Sequence, residues 1–277
     1  MKSILIPTDF SEAGYNTTAY GIALAKALNT ERIILYNAYQ PYIPEDPEYA
    51  PVLAIDAGAY KAISEEGMEK MKNTFQHEIP ASIELICESD YNIVEHGIEE
   101  ASEKYNAELI VMNLTSTGDL ANILFGSTAV SLSKHSTVPV LIVPEKIKFS
   151  SLQKILLAID LKQSKKTTPL DEIRKMLDAS KAQLDVLHVS LHDKDSEDSF
   201  EEDIEFLKTS LGNYNTQYYF EKGNDLTETI NAFAAQHHSD MIIMIPKKHG
   251  WFESIFRHSD SKAIALHSHV PVLAIHE

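Results

Sequence analysis

A glycine, a serine and a threonine close the segment NLTSTGDLANILFGST, which spans residues 113–128. Gly126 and Ser127 precede STAVSLSKHS, which we interpret as a helix. The start of a helix presents free backbone N–H groups and the positive end of the helix dipole, and both attract a phosphate. The hydroxyls of Ser127 and Thr128 add donors. Because Gly-Ser before a helix is also an ordinary N-cap, the segment alone leaves both interpretations open.

A second candidate is Asp9, in the segment IPTDFSE. It comes directly after a short apolar run that predicts a strand, so its carboxylate is expected at the carboxyl end of that strand, facing a crevice. Asp160 repeats this arrangement in LAIDLK. The alternative is that Asp9 caps the following helix or turn together with Ser11 and Glu12.

The chain repeats itself, which places these residues in two copies of one unit. SILIPTD (3–9) matches KILLAID (154–160) at an offset of 151, whereas KHSTVPVLIV (134–143) matches LHSHVPVLAI (266–275) at an offset of 132. LIVMN (109–113) matches MIIMI (241–245) at the same offset of 132. Two domains are therefore predicted, 1–146 and 152–277, with a short polar linker near 144–154 and a Pro- and Tyr-rich loop at 39–58 in the first copy only.

Within each copy, apolar runs alternate with segments of helical spacing. ILIPT, RIILYNA, SIELICE, ELIVMN and VPVLIVP predict strands, and the stretches between them predict amphipathic helices. This alternation predicts an α/β fold: two tandem, doubly wound, parallel sheets, each with about five strands and four helices. In such sheets ligands bind at the carboxyl ends of strands, at the point where the strand order switches.

The overall composition excludes several classes of function. The net charge of −17 and the pI near 5.1 disfavour the clustered basic surface that nucleic acids or anionic membranes need. The lone cysteine, Cys87, excludes an internal disulfide, and no stretch resembles a signal peptide or a membrane span, so we expect a cytoplasmic protein. The histidines lack the spacing of a zinc site, and no set of nucleophile, base and orienting group can be assigned.

These patterns resemble the universal stress protein family, UspA type, and in particular its tandem two-domain members. The nucleotide-binding branch of that family has a segment similar to IPTDFSE after its first strand and the pattern G-x2-G-x9-G-[ST] after its fourth strand. Gly126 and Ser127 fit the last pair of that pattern, while Asn113 and Ser116 stand where the two earlier glycines belong. The resemblance covers both copies from end to end.

The resemblance implies an adenine nucleotide alpha hydrolase-like, Rossmann-like fold and a site for ATP or another adenine nucleotide in the first copy, with no metal required. It places Pro7, Asp9 and Ala38 at the adenosine end, Met112 and Asn113 near the ribose, and Ser116, Gly126, Ser127 and Thr128 around the phosphates. Asn113 is the replacement that best tolerates positive φ, whereas the Cβ of Ser116 obstructs a close backbone approach to phosphate.

In the second copy the corresponding loop is IPKKHGWFESIFRHS, and the three glycine positions hold Ile245, Lys248 and His258. We therefore expect the second copy to be structural, with Trp251 and Phe252 packing at a domain contact. An anion attracted by the basic residues of this loop is the alternative.

The function that follows is a stress-response sensor or binding module rather than an enzyme. A scaffold that acts through protein–protein contacts, with no nucleotide, is the alternative, and a slow ATPase is a third interpretation that lacks a catalytic base. The family pairs domains through the last strand, here VPVLIV and VPVLAI, so we expect an internal pseudo-dimer and allow for a homodimer of chains.

Overall fold

The structure is a computed structural model that describes residues 1–40, 57–113, 120–161, 164–191, 200–246 and 269–276. The first copy has the predicted alternation of five strands and four helices. The strands are β1 (Ser3–Pro7), β2 (Arg32–Tyr39), β3 (Glu84–Tyr91), β4 (Leu109–Asn113) and β5 (Val140–Val143), and the helices are α1 (Glu12–Ala27), α2 (Ala57–Phe75), α3 (Val94–Tyr105) and α4 (Leu120–His135). The long loop predicted at 39–58 lies mostly outside the described residues.

The second copy repeats this order. Its strands are β6 (Lys154–Ala158), β7 (Gln183–Ser190), β8 (Thr216–Lys222), β9 (Met241–Met244) and β10 (Val272–Ala274). Its described helices are α5 (Ser164–Thr167), α6 (Leu170–Ser180), α7 (Glu201–Leu211) and α8 (Leu226–Gln236).

The ten strands of the described residues join in one sheet, in the order β3-β2-β1-β4-β5-β10-β9-β6-β7-β8. Neighbouring strands within each copy are parallel, and the copies meet where β5 and β10 pair antiparallel, with Leu141 opposite Leu273. This is the pairing of last strands that the sequence predicts. In each copy the first and fourth strands are neighbours, so the strand order switches between β1 and β4 and between β6 and β9.

Helices cover both faces of the sheet because its strands are apolar on both sides. On one face a single core runs through both copies and includes residues of α1, α2, α6 and α7 together with Leu141, Leu273 and Ile275. On the other face there are two separate cores, one with residues of α3 and α4 and one with residues of α8. Met68 and Met71 of α2 are both buried, as their spacing on one helical face predicts.

The connection between β5 and β6 is packed against α1 of the first copy. Asn16 of α1 donates from Nδ2 to the carbonyls of Glu145 (2.7 Å) and Ile147 (3.1 Å). The rings of Tyr20 and Phe149 meet edge to face, with centroids 5.4 Å apart. The segment that the sequence presents as a polar linker is therefore held in place by α1.

Candidate functional site

The turn between β1 and α1 carries Asp9 and is closed by its own side chains. Oδ1 of Asp9 accepts hydrogen bonds from the backbone N–H (3.0 Å) and the hydroxyl (2.6 Å) of Ser11. The Ser11 hydroxyl in turn accepts from the N–H of Gly14 (3.1 Å) and caps α1. The cap is therefore Ser11, while Asp9 orients it with one carboxylate oxygen.

Two glycines leave room for this turn. A Cβ on Gly14 would lie 2.8 Å from Oδ1 of Asp9, and a Cβ on Gly67 of α2 would lie 2.7 Å from the ring of Phe10. Phe10 itself has a φ of 62°, in the left-handed region that non-glycine residues seldom adopt. The close packing of both helices on the turn fixes the direction of the Asp9 side chain.

Asn37, at the end of β2, braces the same turn from the other side. Its Nδ2 donates to the carbonyl of Thr8 (2.7 Å), and its Oδ1 accepts from the hydroxyl of Ser64 in α2. Neither residue stands out from the sequence as part of the site, because the two are 27 positions apart and each is an ordinary polar residue of its element. Asn37 could have been found from the repeat, because the offset of 151 aligns it with His188, another polar residue at the same place in the second copy.

The end of β4 brings two predicted residues to the same point. Met112 and Asn113 are both buried, with 0% and 2% of their surface exposed. The register that pairs Ile4 with Leu109 and Leu5 with Ile110, continued by three residues, places Thr8 beside Asn113. Asp9 and Asn113 therefore both lie at the carboxyl edge of the sheet, at the switch point between β1 and β4.

Each of these two residues has one buried polar atom that makes no hydrogen bond. Among the residues that the structure describes, Oδ2 of Asp9 and Nδ2 of Asn113 find no partner. The first atom only accepts while ionised, and the second only donates. This edge of the sheet thus contains a buried acceptor and a buried donor that find no hydrogen-bond partner among the described residues.

The remaining predicted residues are placed as follows. Pro7 is the buried last residue of β1, and Ala38 is half-buried near the end of β2, where it packs on the core below α3 and α4. Thr128 is buried within α4. Ser116 lies outside the described residues, so the structure brings together Pro7, Asp9, Ala38, Met112 and Asn113 at the carboxyl edge of the sheet.

Helix α4 begins at Leu120, which corrects the expectation that it begins at Ser127. Gly126 and Ser127 are its seventh and eighth residues, so their N–H groups lie within the helical hydrogen-bond ladder rather than at an open end. The reason is local: LANILF, between Asp119 and Gly126, contains no proline or glycine to stop a helix, and aspartate is favoured just before one.

Tyr36, on β2 next to this edge, is buried with its hydroxyl directly over α3. Its exposed fraction is 1%. A Cβ on Gly97 would overlap that hydroxyl. Burial raises the pKa of the phenol above its usual range, and the negative charge of Asp90 on β3 raises it further.

The family of this chain is shown by its similarity to known proteins. The model of the universal stress protein family matches residues 1–144 and, a second time, residues 151–276. The chain belongs to the universal stress protein family. Universal stress protein MJ0531 of Methanocaldococcus jannaschii is 30% identical over 147 residues, which cover 51% of this chain and 81% of that relative.

A solved structure of a universal stress protein shares the fold. One from Archaeoglobus fulgidus superposes with a TM-score of 0.70 at 21% identity, covering 99% of this chain and 96% of its own. Another was solved in complex with cAMP; it covers 52% of this chain and 98% of its own, with a TM-score of 0.39 and 20% identity.

The second copy of this universal stress protein has aromatic side chains where the first has polar ones. His188 is equivalent to Asn37, and its Nδ1 lies 3.1 Å from the carbonyl oxygen of Ile159. Its ring contacts the rings of Phe200 and Phe220, with centroids 4.8 and 6.2 Å away. Phe220 pairs with His188 across β7 and β8, and the equivalent partner of Asn37 in the first copy is Ser89. This edge of the second copy is therefore packed with rings.

Several features predicted for the second copy fall outside the described residues. Ile245 is buried just after β9, but the segment with Lys248, Trp251, Phe252 and His258 lies outside the described residues. Within the described ranges no three His, Cys, Asp or Glu side chains converge on a common point for a metal. None of the described helices is both long enough and apolar enough to cross a membrane.

Proposed function

We propose that this universal stress protein is a stress-response binding module whose first domain, residues 1–146, holds an adenine nucleotide at the ends of β1 and β4. The second domain, residues 152–277, is then structural. The observation that carries the proposal is that two buried atoms, Oδ2 of Asp9 and Nδ2 of Asn113, have no hydrogen-bond partner among the described residues. The site residues are those that the family pattern implies at this edge of the sheet.

The free-energy penalty of burying these two atoms without hydrogen bonds supports the presence of a ligand. A buried polar group left without a hydrogen bond destabilises a protein by about 1–3 kcal/mol. A leucine in place of Asn113 would avoid that penalty, because the side chain at this position is buried. A ligand that donates to Asp9 and accepts from Asn113 accounts for both atoms.

Binding rather than catalysis fits the turn. The hydroxyl that Asp9 holds belongs to Ser11, and that hydroxyl already accepts from Gly14 as the cap of α1. It is therefore engaged in structure rather than poised as a nucleophile. We assign no catalytic step to the crevice, and we place the protein in the cytoplasm on the strength of its single cysteine.

A scaffold that acts through protein contacts is the second candidate. It is favoured by the two replaced glycines, at Asn113 and Ser116, and by the position of Gly126 inside α4. The antiparallel pairing of β5 with β10 already uses the strands through which the family associates. Association of two chains would therefore need a different surface.

Thermal unfolding in the presence of ATP tests the first candidate. A ligand at a hundred times its Kd stabilises the folded state by about 2.7 kcal/mol, which raises the Tm by several degrees. Asp9→Ala should abolish the rise, whereas Asp160→Ala, at the equivalent position of the second copy, should retain it. The absence of a rise at millimolar ATP, or a rise that Asp9→Ala leaves intact, would reject nucleotide binding at this crevice.

A further inference from the structure

We propose that the second copy docks an extended, basic segment of a partner protein in the groove between helix α7 and strand β8. The groove is open, has a volume of about 630 Å³ and is lined by described residues of both elements. This surface lies in the second copy, so the inference goes beyond the nucleotide site proposed for the first. An aromatic floor, an acidic rim and a free edge of the sheet carry it.

The floor of the groove is aromatic in this copy alone. Tyr218 and Phe220 of β8 are partly exposed there, together with Ile204 of α7. The strand registers of the two copies align these aromatic residues with Cys87 and Ser89 of β3. Partly exposed aromatic rings are typical of protein interfaces, because they bury a large area at a low cost in side-chain entropy. The floor therefore suits apolar side chains of a partner.

The rim of the groove is acidic. It includes Glu201, Glu202 and Glu205 of α7, together with one lysine, Lys208, so three carboxylates stand against one ammonium group. Glu202 pairs with Lys165 at 3.0 Å, whereas neither Glu201 nor Glu205 makes an ion pair with another described residue. A segment that carries lysine or arginine beside its apolar side chains complements this rim and the floor together.

Strand β8 forms one end of the sheet. Among the described strands it pairs with β7 only, so its other side presents backbone N–H and C=O groups without a strand partner in the described part of the chain. An extended segment binds such an edge by adding one more strand, whose side chains alternate between the two faces of the sheet. Every second side chain of that segment is then directed towards the face that α7 and the groove occupy.

A second copy of this chain is a poor occupant. The other end of the sheet, β3, would supply the strand, but it carries Glu84, Glu88 and Asp90. The whole chain has a net charge of −17. Pairing β3 of one chain with β8 of another would add negative charge beside the acidic rim, and like charges across an interface weaken association. The charge of the groove therefore favours a different, basic protein.

Two labelled peptides test the charge preference by fluorescence anisotropy with the full chain. Both have nine residues: one alternates lysine with valine, and the other alternates glutamate with valine. We expect the lysine peptide to bind at least about tenfold more tightly, and we expect its affinity to fall as added salt screens the attraction. Equal affinities, or no binding of the lysine peptide at millimolar concentration, would overturn the proposal.

A pair of charge-reversed variants separates the groove from the overall negative charge. Glu201→Lys combined with Glu205→Lys should weaken binding of the lysine peptide about tenfold or more, because both changes reverse charges on the rim. Glu99→Lys combined with Glu103→Lys is the matched control. It makes the same change in net charge at the same helical spacing on α3, so it should retain most of the affinity. An equal loss in both variants would show attraction to the whole acidic chain and reject the groove.

Hydrogen exchange locates the bound peptide. When the lysine peptide is bound, the backbone amides of β8 should exchange more slowly, because the added strand gives its free edge hydrogen-bond partners. The amides of β3, at the other end of the sheet, should exchange at an unchanged rate. Binding that leaves β8 exchange unchanged, or that slows β3 instead, would overturn docking at this edge.

Discussion

Two asparagines at the same edge of the sheet show how one residue type serves two purposes. Asn37 uses both ends of its amide, donating to Thr8 and accepting from Ser64, so it fixes the β1–α1 turn. Asn113 is equally buried, yet its Nδ2 has no partner in the described part of the chain. The amide of Asn37 is used to hold the turn, whereas the amide of Asn113 leaves a buried donor that a ligand could accept from.

Gly97 and Tyr36 provide a test of residue-level packing. Gly97→Ala should destabilise the protein by about 1–3 kcal/mol, because the new Cβ overlaps the Tyr36 hydroxyl, although alanine normally favours a helix. In a Tyr36→Phe background the same change should lose most of its effect, since the hydroxyl is gone. Urea unfolding of the four proteins in a double-mutant cycle measures this coupling, and additive effects would contradict the contact.

Helices and strands follow from the sequence more readily than their exact limits. The alternation of apolar runs with helical spacing predicts the first copy's strands and helices in order, because a helix buries one apolar face whereas a strand between two helix layers is buried on both. The start of α4 does not follow, because Gly126–Ser127 is a start signal by type, while LANILF before it is equally compatible with a helix. A local pattern cannot decide between two compatible starts.

Glycine substitutions test the start of α4. Gly126→Ala should stabilise the protein by about 0.5–1 kcal/mol, because alanine is the better residue inside a helix. Gly14→Ala in α1 is the contrasting variant and should destabilise it, because its Cβ would lie 2.8 Å from Oδ1 of Asp9 and 3.0 Å from the Thr8 hydroxyl. Denaturant midpoints measure both changes. A loss of stability in Gly126→Ala would indicate that Gly126 is needed in a loop.

Contacts between elements that are far apart in the chain could not be predicted from the sequence. The brace from Asn37 to Ser64 and the seating of Phe10 on Gly67 join β2 and α2 to the β1–α1 turn. No periodicity signals them, because each depends on the three-dimensional approach of elements far apart in the chain. The family resemblance supplies the residues of the crevice, but not the ones that hold it in shape.

At the scale of the whole molecule, the two copies share both a sheet and a core. β5 and β10 join the two parallel halves into ten strands, and one core includes buried residues of both copies. Asp240 of the second copy accepts from the N–H groups of Gln153 (2.7 Å) and Lys154 (2.9 Å), which fixes the end of the connecting segment. Separating the copies would expose the core face of β5 and β10 to water.

This shared core predicts that both copies unfold together. Calorimetry of the full chain should show one transition, with equal calorimetric and van't Hoff enthalpies. Leu273→Ala, at the seam opposite Leu141, and Leu226→Ala, in the core of the second copy alone, should each lower that one transition. Because both leucines are buried, each substitution should lower the free energy of unfolding by about 2–5 kcal/mol. If the copies were independent, Leu226→Ala would instead split the trace, leaving a transition of the first copy at its original temperature.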